Sequence, residues 1–182
     1  MHWHARSRRL SRPRRVTPAD QDAAGDRADR LPGPPPVPGI STSAWALRRV
    51  FAGRADQVRH ARRFVKAALD EGFPLADLVV LLSDELVTNA VVHTRSGDGG
   101  VFEVRVWSGP SSACVAVLDG GSWGEPSPAA LDAVRESGRG LALVDALAAH
   151  WGHAGGRDGR ITWFVVRWQD DGRPPGAPGR AG

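Results

Sequence analysis

Several residue types are scarce in this chain, and each scarcity excludes a class of protein. The 182 residues include one Cys, Cys114, one Lys and no Tyr. A single cysteine cannot form an internal disulfide, and no group of Cys and His has the spacing of a zinc site. No apolar run approaches the roughly 20 residues that a transmembrane helix needs. The sequence therefore argues against a disulfide-stabilised domain, a zinc domain and a helical membrane protein, and we expect a cytoplasmic protein without membrane contact.

Excess charge of one sign is also missing from most of the chain. The formal net charge is +4; residues 1–40 carry eight Arg against four Asp, whereas residues 41–182 carry sixteen basic and sixteen acidic side chains. The excess positive charge thus lies entirely in the N-terminal segment. Because a nucleic-acid-binding domain concentrates Lys and Arg in its folded part, we expect no direct nucleic-acid binding by this one.

Proline and glycine divide the chain into a domain and two tails. Residues 1–40 combine Arg pairs with the stretch LPGPPPVPG, a composition that predicts a disordered basic tail. Residues 41–170 hold the periodic apolar segments and form the expected domain. Residues 171–182 are again rich in Pro and Gly, which predicts a second disordered tail.

Apolar periodicity predicts two helices near the start of the domain. Within residues 54–71, apolar side chains recur three and four positions apart, opposite Arg and Lys, which predicts an amphipathic helix. Residues 75–94 are apolar over more of the helix circumference, which predicts a more deeply buried helix. We expect it to end before the turn-rich stretch RSGDGG.

Strands and a third helix follow. The stretch VFEVRVW (101–107) alternates apolar and polar residues, as a half-exposed strand does, and ACVAVLD (113–119) is almost continuously apolar, as a central strand is. A third helix is predicted after GRG (138–140), a final hairpin around residues 155–160, and an edge strand within residues 45–51. Helices on one face of a mostly antiparallel sheet make a two-layer α+β sandwich with about three helices.

Polar side chains interrupt the second predicted helix at a spacing of four. Glu85, Asn89 and His93 form one stripe among Leu and Val. A carboxylate in an apolar face is unfavourable to bury unless it is paired, so Glu85 is either a functional group or one partner of an ion pair. The amide oxygen of Asn89 either binds Mg²⁺ or caps a loop. We expect His93 to end the helix rather than bind a ligand, and Asp84, about 100° from Glu85, to face solvent.

Two glycine-containing stretches complete the candidate sites. In LDGG, Asp119 ends a buried strand, where its carboxylate can accept a hydrogen bond from the amine of a ligand that approaches the bare backbone at Gly121. The alternative is an ordinary turn. In ESGRGLALV, Gly138 and Gly140 lie just before an apolar helix, whose free N–H groups can bind an anion. Neither stretch is decisive alone.

The order of these motifs resembles that of the GHKL ATPase superfamily, which includes histidine kinases, gyrase B, Hsp90 and MutL. DELVTNAVVHT is similar to its N box, VLDGG to its first glycine box and ESGRGLALVDALAAHWG to its second. The most similar subgroup comprises the stand-alone anti-sigma regulatory factors, which act as serine/threonine protein kinases. The resemblance covers residues 45–168 and implies the ATP-binding fold of that superfamily.

The resemblance also implies ATP and Mg²⁺ as ligands, with separate roles for the motif residues. Glu85 matches the N-box acid that polarises the attacking hydroxyl or water, and Asn89 matches the residue that binds Mg²⁺. Asp119 matches the residue that contacts the amino group of adenine, and Gly121 is the glycine two positions on. The first motif would therefore bind Mg²⁺, and the second would bind adenine.

The second glycine box would hold the phosphates. By resemblance, Gly138 and Gly140 contact them, and Arg139 lies between these two glycines, where its charge favours phosphate. Residues 122–137 match the lid that closes over ATP. Opening and closing of this lid would control nucleotide exchange.

Two positions depart from the family pattern. Trp123 stands where the first glycine box would have a third glycine, and Glu136 stands where the kinases carry a basic residue before Ser-Gly. An acid near the γ-phosphate is unfavourable for the phosphate charge. ATP binding tolerates these departures better than kinase activity does.

The resemblance thus implies an ATP-dependent protein kinase that phosphorylates a Ser or Thr of an anti-sigma antagonist. Its partners would be this antagonist and a sigma factor, held in turn, so that transcription is regulated by partner switching. One alternative is a partner-switch module that binds nucleotide without kinase activity. A detached histidine-kinase catalytic domain is disfavoured because no acceptor helix pair precedes residue 45. Whether the chain forms a homodimer stays open.

Overall fold

The chain forms five strands and three α-helices in a computed structural model, which describes residues 16–19, 22, 47–69, 72–121 and 139–168. The elements, in chain order, are β1 (Leu47–Ala52), α1 (Ala55–Ala68), α2 (Ala76–His93), β2 (Val101–Ser108), β3 (Ser112–Asp119), α3 (Arg139–Leu147), β4 (His150–Gly156) and β5 (Gly159–Arg167). A short 3₁₀ helix, Arg95–Asp98, follows α2. Each of these strands and helices lies where the sequence pattern predicts one. The segment 122–137 and most of both predicted tails lie outside the described residues.

The five strands form one sheet in the order β1-β2-β3-β5-β4, and every neighbouring pair is antiparallel. The central strand β3 is buried along its whole length, which explains why its sequence is continuously apolar rather than alternating. β1 lies at the edge, as predicted. With helices packed on one face, the predicted two-layer α+β sandwich is confirmed.

The main core lies between the sheet and the helices. Alternate residues of β2, Phe102, Val104 and Val106, point into it and are fully buried together with Leu82 and Leu86 of α2. Each such side chain contributes about 1.5–3 kcal/mol when it is removed from water. The broad apolar surface of α2 is therefore explained by its central position in the helical layer. No helix within the described ranges is long and apolar enough to span a membrane.

The prediction that Asp84 faces solvent is wrong. Asp84 is buried, and its Oδ2 accepts a hydrogen bond of 2.6 Å from Nε of Arg62 on α1. The direction of Asp84 relative to Glu85 follows from helix geometry, but the neighbour in that direction is α1, not water. Arg62, one of the basic residues of the amphipathic helix α1, thereby links the two helices.

Candidate functional site

Asp119 occupies a buried position at the end of β3. Only 3% of the surface of this residue is exposed. Oδ1 accepts a hydrogen bond of 2.8 Å from the backbone N–H of Gly121, and Oδ2 accepts one of 3.2 Å from Nε of Arg160. Arg160 lies directly opposite Asp119 in the register of β3 and β5. No local sequence pattern indicates this partner, because 41 residues separate Asp119 from Arg160 and only the strand register brings them together.

The pKa of Asp119 depends on opposing effects. Burial raises the pKa above its ordinary value of 3.8, whereas the charge of Arg160, the N–H of Gly121 and the hydrogen bond from Arg160 lower it. The effect of burial is the largest, so the pKa is raised overall. Since the lowering effects oppose that rise, Arg160 helps to keep the buried carboxylate ionised.

The pH dependence of stability should reveal this role of Arg160. Because the pKa of Asp119 is raised in the folded protein, protonation of this carboxylate stabilises the fold. This stabilisation is fully present below pH 3.8 and is lost as the pH rises through the pKa of Asp119 in the folded state. The substitution Arg160→Ala is expected to raise this pKa further and to extend the loss toward neutral pH. Each additional pKa unit lowers the free energy of unfolding at neutral pH by about 1.4 kcal/mol.

The measurement is urea unfolding of wild type and Arg160→Ala between pH 4 and pH 8. Arg157→Ala serves as the matched control, because Arg157 is exposed in the β4–β5 turn beside the site. Parallel stability curves for wild type and Arg160→Ala would contradict the assigned role of Arg160.

The loop after α2 fixes the end of β3. Thr94 caps the 3₁₀ helix by accepting from the N–H of Ser96 at 3.1 Å. Oγ of Ser96 in turn accepts from the N–H of Gly120 at 2.9 Å, and the N–H of Arg95 donates to the carbonyl of Gly121 at 2.9 Å. The helix that carries the polar stripe and the LDGG stretch are therefore joined by hydrogen bonds.

Gly121 has a backbone conformation and surroundings that only glycine suits. Its φ is +74°, and a Cβ added there would overlap the carbonyl oxygens of Gly156 and Arg157 in the β4–β5 turn. Both neighbours are backbone atoms, which cannot turn aside as a side chain can. The close approach of this turn thus explains the second glycine of LDGG.

Alanine at Gly121 is expected to destabilise the fold more than alanine at Gly72. Gly72 has a similar φ of +79°, but a Cβ added there has no atom within 4 Å. Gly72→Ala should lower the free energy of unfolding by about 1–2 kcal/mol for the left-handed conformation alone, and Gly121→Ala by about 1–3 kcal/mol more for the overlap. Urea unfolding of both variants measures the difference. Equal losses would show that the β4–β5 turn moves aside freely.

Glu85 contacts the start of α3. Its half-buried side chain on α2 lies so close to Gly140 that a Cβ added at Gly140 would overlap its Oε2. Gly140 is the second residue of α3, so the glycine lets the first turn of that helix approach the carboxylate. The third motif of the sequence is therefore packed directly against the first.

Asn89 lies one helical turn after Glu85 on α2 and is half-buried. Within the described ranges, no group of three or more His, Cys, Asp and Glu side chains could hold a metal ion. His93 is the last residue of α2, as predicted, and its side chain is exposed. Gly138, the side chain of Arg139 and the predicted lid lie outside the described part of the chain, so their predicted contacts with phosphate stay predictions.

Comparison with known proteins identifies the type of domain. A family model described as histidine kinase-like ATPase domain matches residues 51–174, which is more than half of the chain. The match includes the polar stripe on α2, the end of β3 and the start of α3. No curated protein sequence gives a match to the chain.

Proposed function

The chain belongs to the family of histidine kinase-like ATPase domains, and from this premise we propose that it is an ATP- and Mg²⁺-dependent serine/threonine kinase of the anti-sigma factor type. It transfers the γ-phosphoryl group of ATP to a hydroxyl of a small antagonist protein. The observation that carries the proposal is the contact between Glu85 and the start of α3 at Gly140. This contact places a carboxylate beside a helix N-terminus, where backbone N–H groups favour phosphate.

Adenine binds at the end of β3 in this proposal. The Asp119 carboxylate already accepts from Gly121 and Arg160, but each carboxylate oxygen has a second lone pair. The exocyclic amine of adenine donates to one of these. The N–H of Gly121 donates to Oδ1 of Asp119 at 2.8 Å and so holds the carboxylate in position for the base.

Glu85 and Asn89 act at the opposite, phosphate end of the nucleotide. Glu85 orients the attacking hydroxyl, since phosphoryl transfer depends mainly on positioning and on stabilisation of charge. Asn89 contributes one neutral oxygen, which suits a Mg²⁺ ion whose other ligands are phosphate and water rather than a cage of carboxylates. Mg²⁺, when bound with ATP, supplies neutralisation of the phosphate charge.

Phosphorylation of the antagonist then determines which partner the protein holds. The unmodified antagonist competes with a sigma factor for the chain, and the phosphorylated one is released. The neutral charge balance of residues 41–182 suits protein partners better than nucleic acid.

The proposal is tested with the partner that co-purifies with the full chain. The two proteins are incubated with ATP labelled at the γ-phosphate, and we expect label on the partner as an acid-stable phosphate ester of Ser or Thr. An acid-labile label would indicate phosphohistidine and the detached histidine-kinase alternative. Absence of label on any partner that co-purifies would contradict kinase activity.

A second candidate is a module that binds ATP and holds its partners without phosphorylating them. The specific feature in its favour is Glu136, an acid where the related kinases carry a basic residue. A rise in melting temperature with ATP and Mg²⁺, together with no label transfer, would establish this candidate. Glu136→Lys would then be expected to introduce transfer.

A further inference from the structure

Asp119 and Arg160 lie on the face of the sheet that the helices cover. Side chains alternate between the two faces along a strand, and Val117 and Phe164 belong to the core between the sheet and the helices. Asp119, two positions after Val117, and Arg160, four positions before Phe164, therefore lie on that same face. It is also the face on which α2 packs, the helix that carries the polar stripe. The Asp119–Arg160 pair and the stripe thus belong to one side of the sheet.

Arg160 is the more accessible partner of this pair. Its side chain is 21% exposed, whereas that of Asp119 is 2% exposed. Its backbone position is fixed, because Arg160 lies directly opposite Asp119 in the register of β3 and β5. A ligand that reaches the Asp119 carboxylate from solvent therefore meets the guanidinium of Arg160 as well.

The guanidinium of Arg160 has donors left for a ligand while it holds Asp119. Its Nε and Nη2 each lie 3.2 Å from Oδ2 of Asp119. A guanidinium has five N–H groups and no acceptor, and at most one N–H from each of these two nitrogens is directed at Oδ2. Three N–H groups, on Nη1 and Nη2, remain beyond this contact. They can recognise only an acceptor atom of a ligand.

Side by side, Asp119 and Arg160 present an acceptor and a donor to the same ligand. Proteins recognise an unpaired base through its Watson–Crick edge, and on adenine this edge carries the amine, a donor, next to N1, an acceptor. Guanine carries the acceptor O6 and the donor N1–H in the same two places. Its O6 would face the carboxylate and its N1–H the guanidinium, which leaves both protein groups unpaired. The pair is thus complementary to adenine and not to guanine.

We propose that Arg160 determines the base specificity of the nucleotide site by donating a hydrogen bond to N1 of adenine, while Asp119 accepts one from the exocyclic amine. This inference rests on the proposed binding of adenine at Asp119 and adds a second recognised atom. Arg160 thereby contacts the ligand besides supporting the charge of Asp119. Because a guanidinium is always charged, its hydrogen bond to N1 is charge-assisted and stronger than one from a neutral donor.

Two analogues of ATP test this contact. In 1-deaza-ATP a C–H group replaces N1 and the amine is kept, and in 7-deaza-ATP a C–H group replaces N7 on the other edge of the base. The full chain is titrated calorimetrically with ATP and each analogue in the presence of Mg²⁺, at pH 8 to favour the ionised carboxylate. We expect wild type to bind 1-deaza-ATP about 10- to 100-fold more weakly than ATP, as for loss of a hydrogen bond to a charged group.

Arg160→Ala should abolish this discrimination, so that the dissociation constants of 1-deaza-ATP and ATP become about equal. If Arg160 only supported Asp119, the substitution would weaken both nucleotides alike and leave their ratio unchanged. The ratio for 7-deaza-ATP should stay at its wild-type value. Arg157→Ala, at an exposed position in the β4–β5 turn, is the matched control and should keep both wild-type ratios.

Arg160→Lys takes the place of Arg160→Ala if the alanine variant does not fold. Lysine keeps a positive charge beside Asp119 but lacks the planar fork that reaches two groups at once. The ratio of the dissociation constants of 1-deaza-ATP and ATP should then fall by about threefold or more. Circular dichroism melting shows which of the two variants is folded.

Several results would overturn the inference while ATP binding itself stands. They are a wild-type ratio near one for 1-deaza-ATP, an unchanged ratio in the Arg160 variant, and binding of GTP by wild type as tight as that of ATP. Tighter binding of ATP by Arg160→Ala would also overturn it, because Arg160 would then occupy the place of the base. Failure of wild type to bind ATP at all would instead overturn the proposed function, and this inference with it.

Discussion

Glu85→Gln is expected to reduce phosphoryl transfer by roughly two to four orders of magnitude, the usual contribution of a positioned acid–base group. Glutamine keeps the shape and the contact with Gly140 but lacks the charge that polarises a hydroxyl. Because the proposed role of Glu85 concerns the attacking group and not the nucleotide, ATP affinity should change little. The rate of label transfer and the affinity for ATP, measured on the same preparations, separate these two effects.

Asp77→Asn is the matched control for this prediction. Asp77 lies in the first turn of the same helix and is exposed, so its substitution removes a charge of equal size away from the site. Its transfer rate should equal that of wild type. Label transfer by Glu85→Gln at the wild-type rate would show that Glu85 has no part in the chemistry.

Asp119→Asn is expected to weaken ATP binding by about 30- to 150-fold, which corresponds to about 2–3 kcal/mol for loss of a hydrogen bond to a buried charge. The amide has one acceptor oxygen where the carboxylate has two. Because burial disfavours the charge of Asp119 more than Arg160, at 3.2 Å, favours it, loss of this charge should not by itself lower the free energy of unfolding. Calorimetric titration with ATP and Mg²⁺ at a temperature where the variant is folded measures the affinity separately from stability.

The control for Asp119→Asn is Asp158→Asn, two positions before Arg160 in the β4–β5 turn. The side chain of Asp158 is 95% exposed, and its substitution should leave ATP affinity unchanged. Wild-type affinity in Asp119→Asn would contradict the proposed contact with adenine, while equal weakening in both variants would point to a long-range effect of charge.

Local sequence patterns predicted most of the fold. The spacing of apolar residues in α1 and α2 and the alternation in β2 depend only on helix and strand geometry. The continuous burial of β3 followed from its uninterrupted apolar sequence, and the β4–β5 hairpin from its glycines. These features are encoded by neighbouring residues, so they can be recognised without knowledge of the tertiary structure.

The candidate site was predicted as a set of motifs but not as a set of contacts. The stripe of Glu85 and Asn89 follows from a spacing of four within one helix. The contact of Glu85 with Gly140 joins residues far apart in sequence, and no local pattern encodes it. The same reason explains why Asp84 was misplaced: helix geometry gave its direction, but only the packing of α1 on α2 put Arg62 there.

By itself, then, the sequence determined the order of the helices and strands, the polar stripe, the two glycine-containing stretches and the location of the excess charge. The tertiary structure alone decided that Asp119 is paired with Arg160 and that α3 begins against Glu85. The physical reason is that periodicity reflects which side of one element is buried, whereas pairing depends on register and packing between elements distant in the chain.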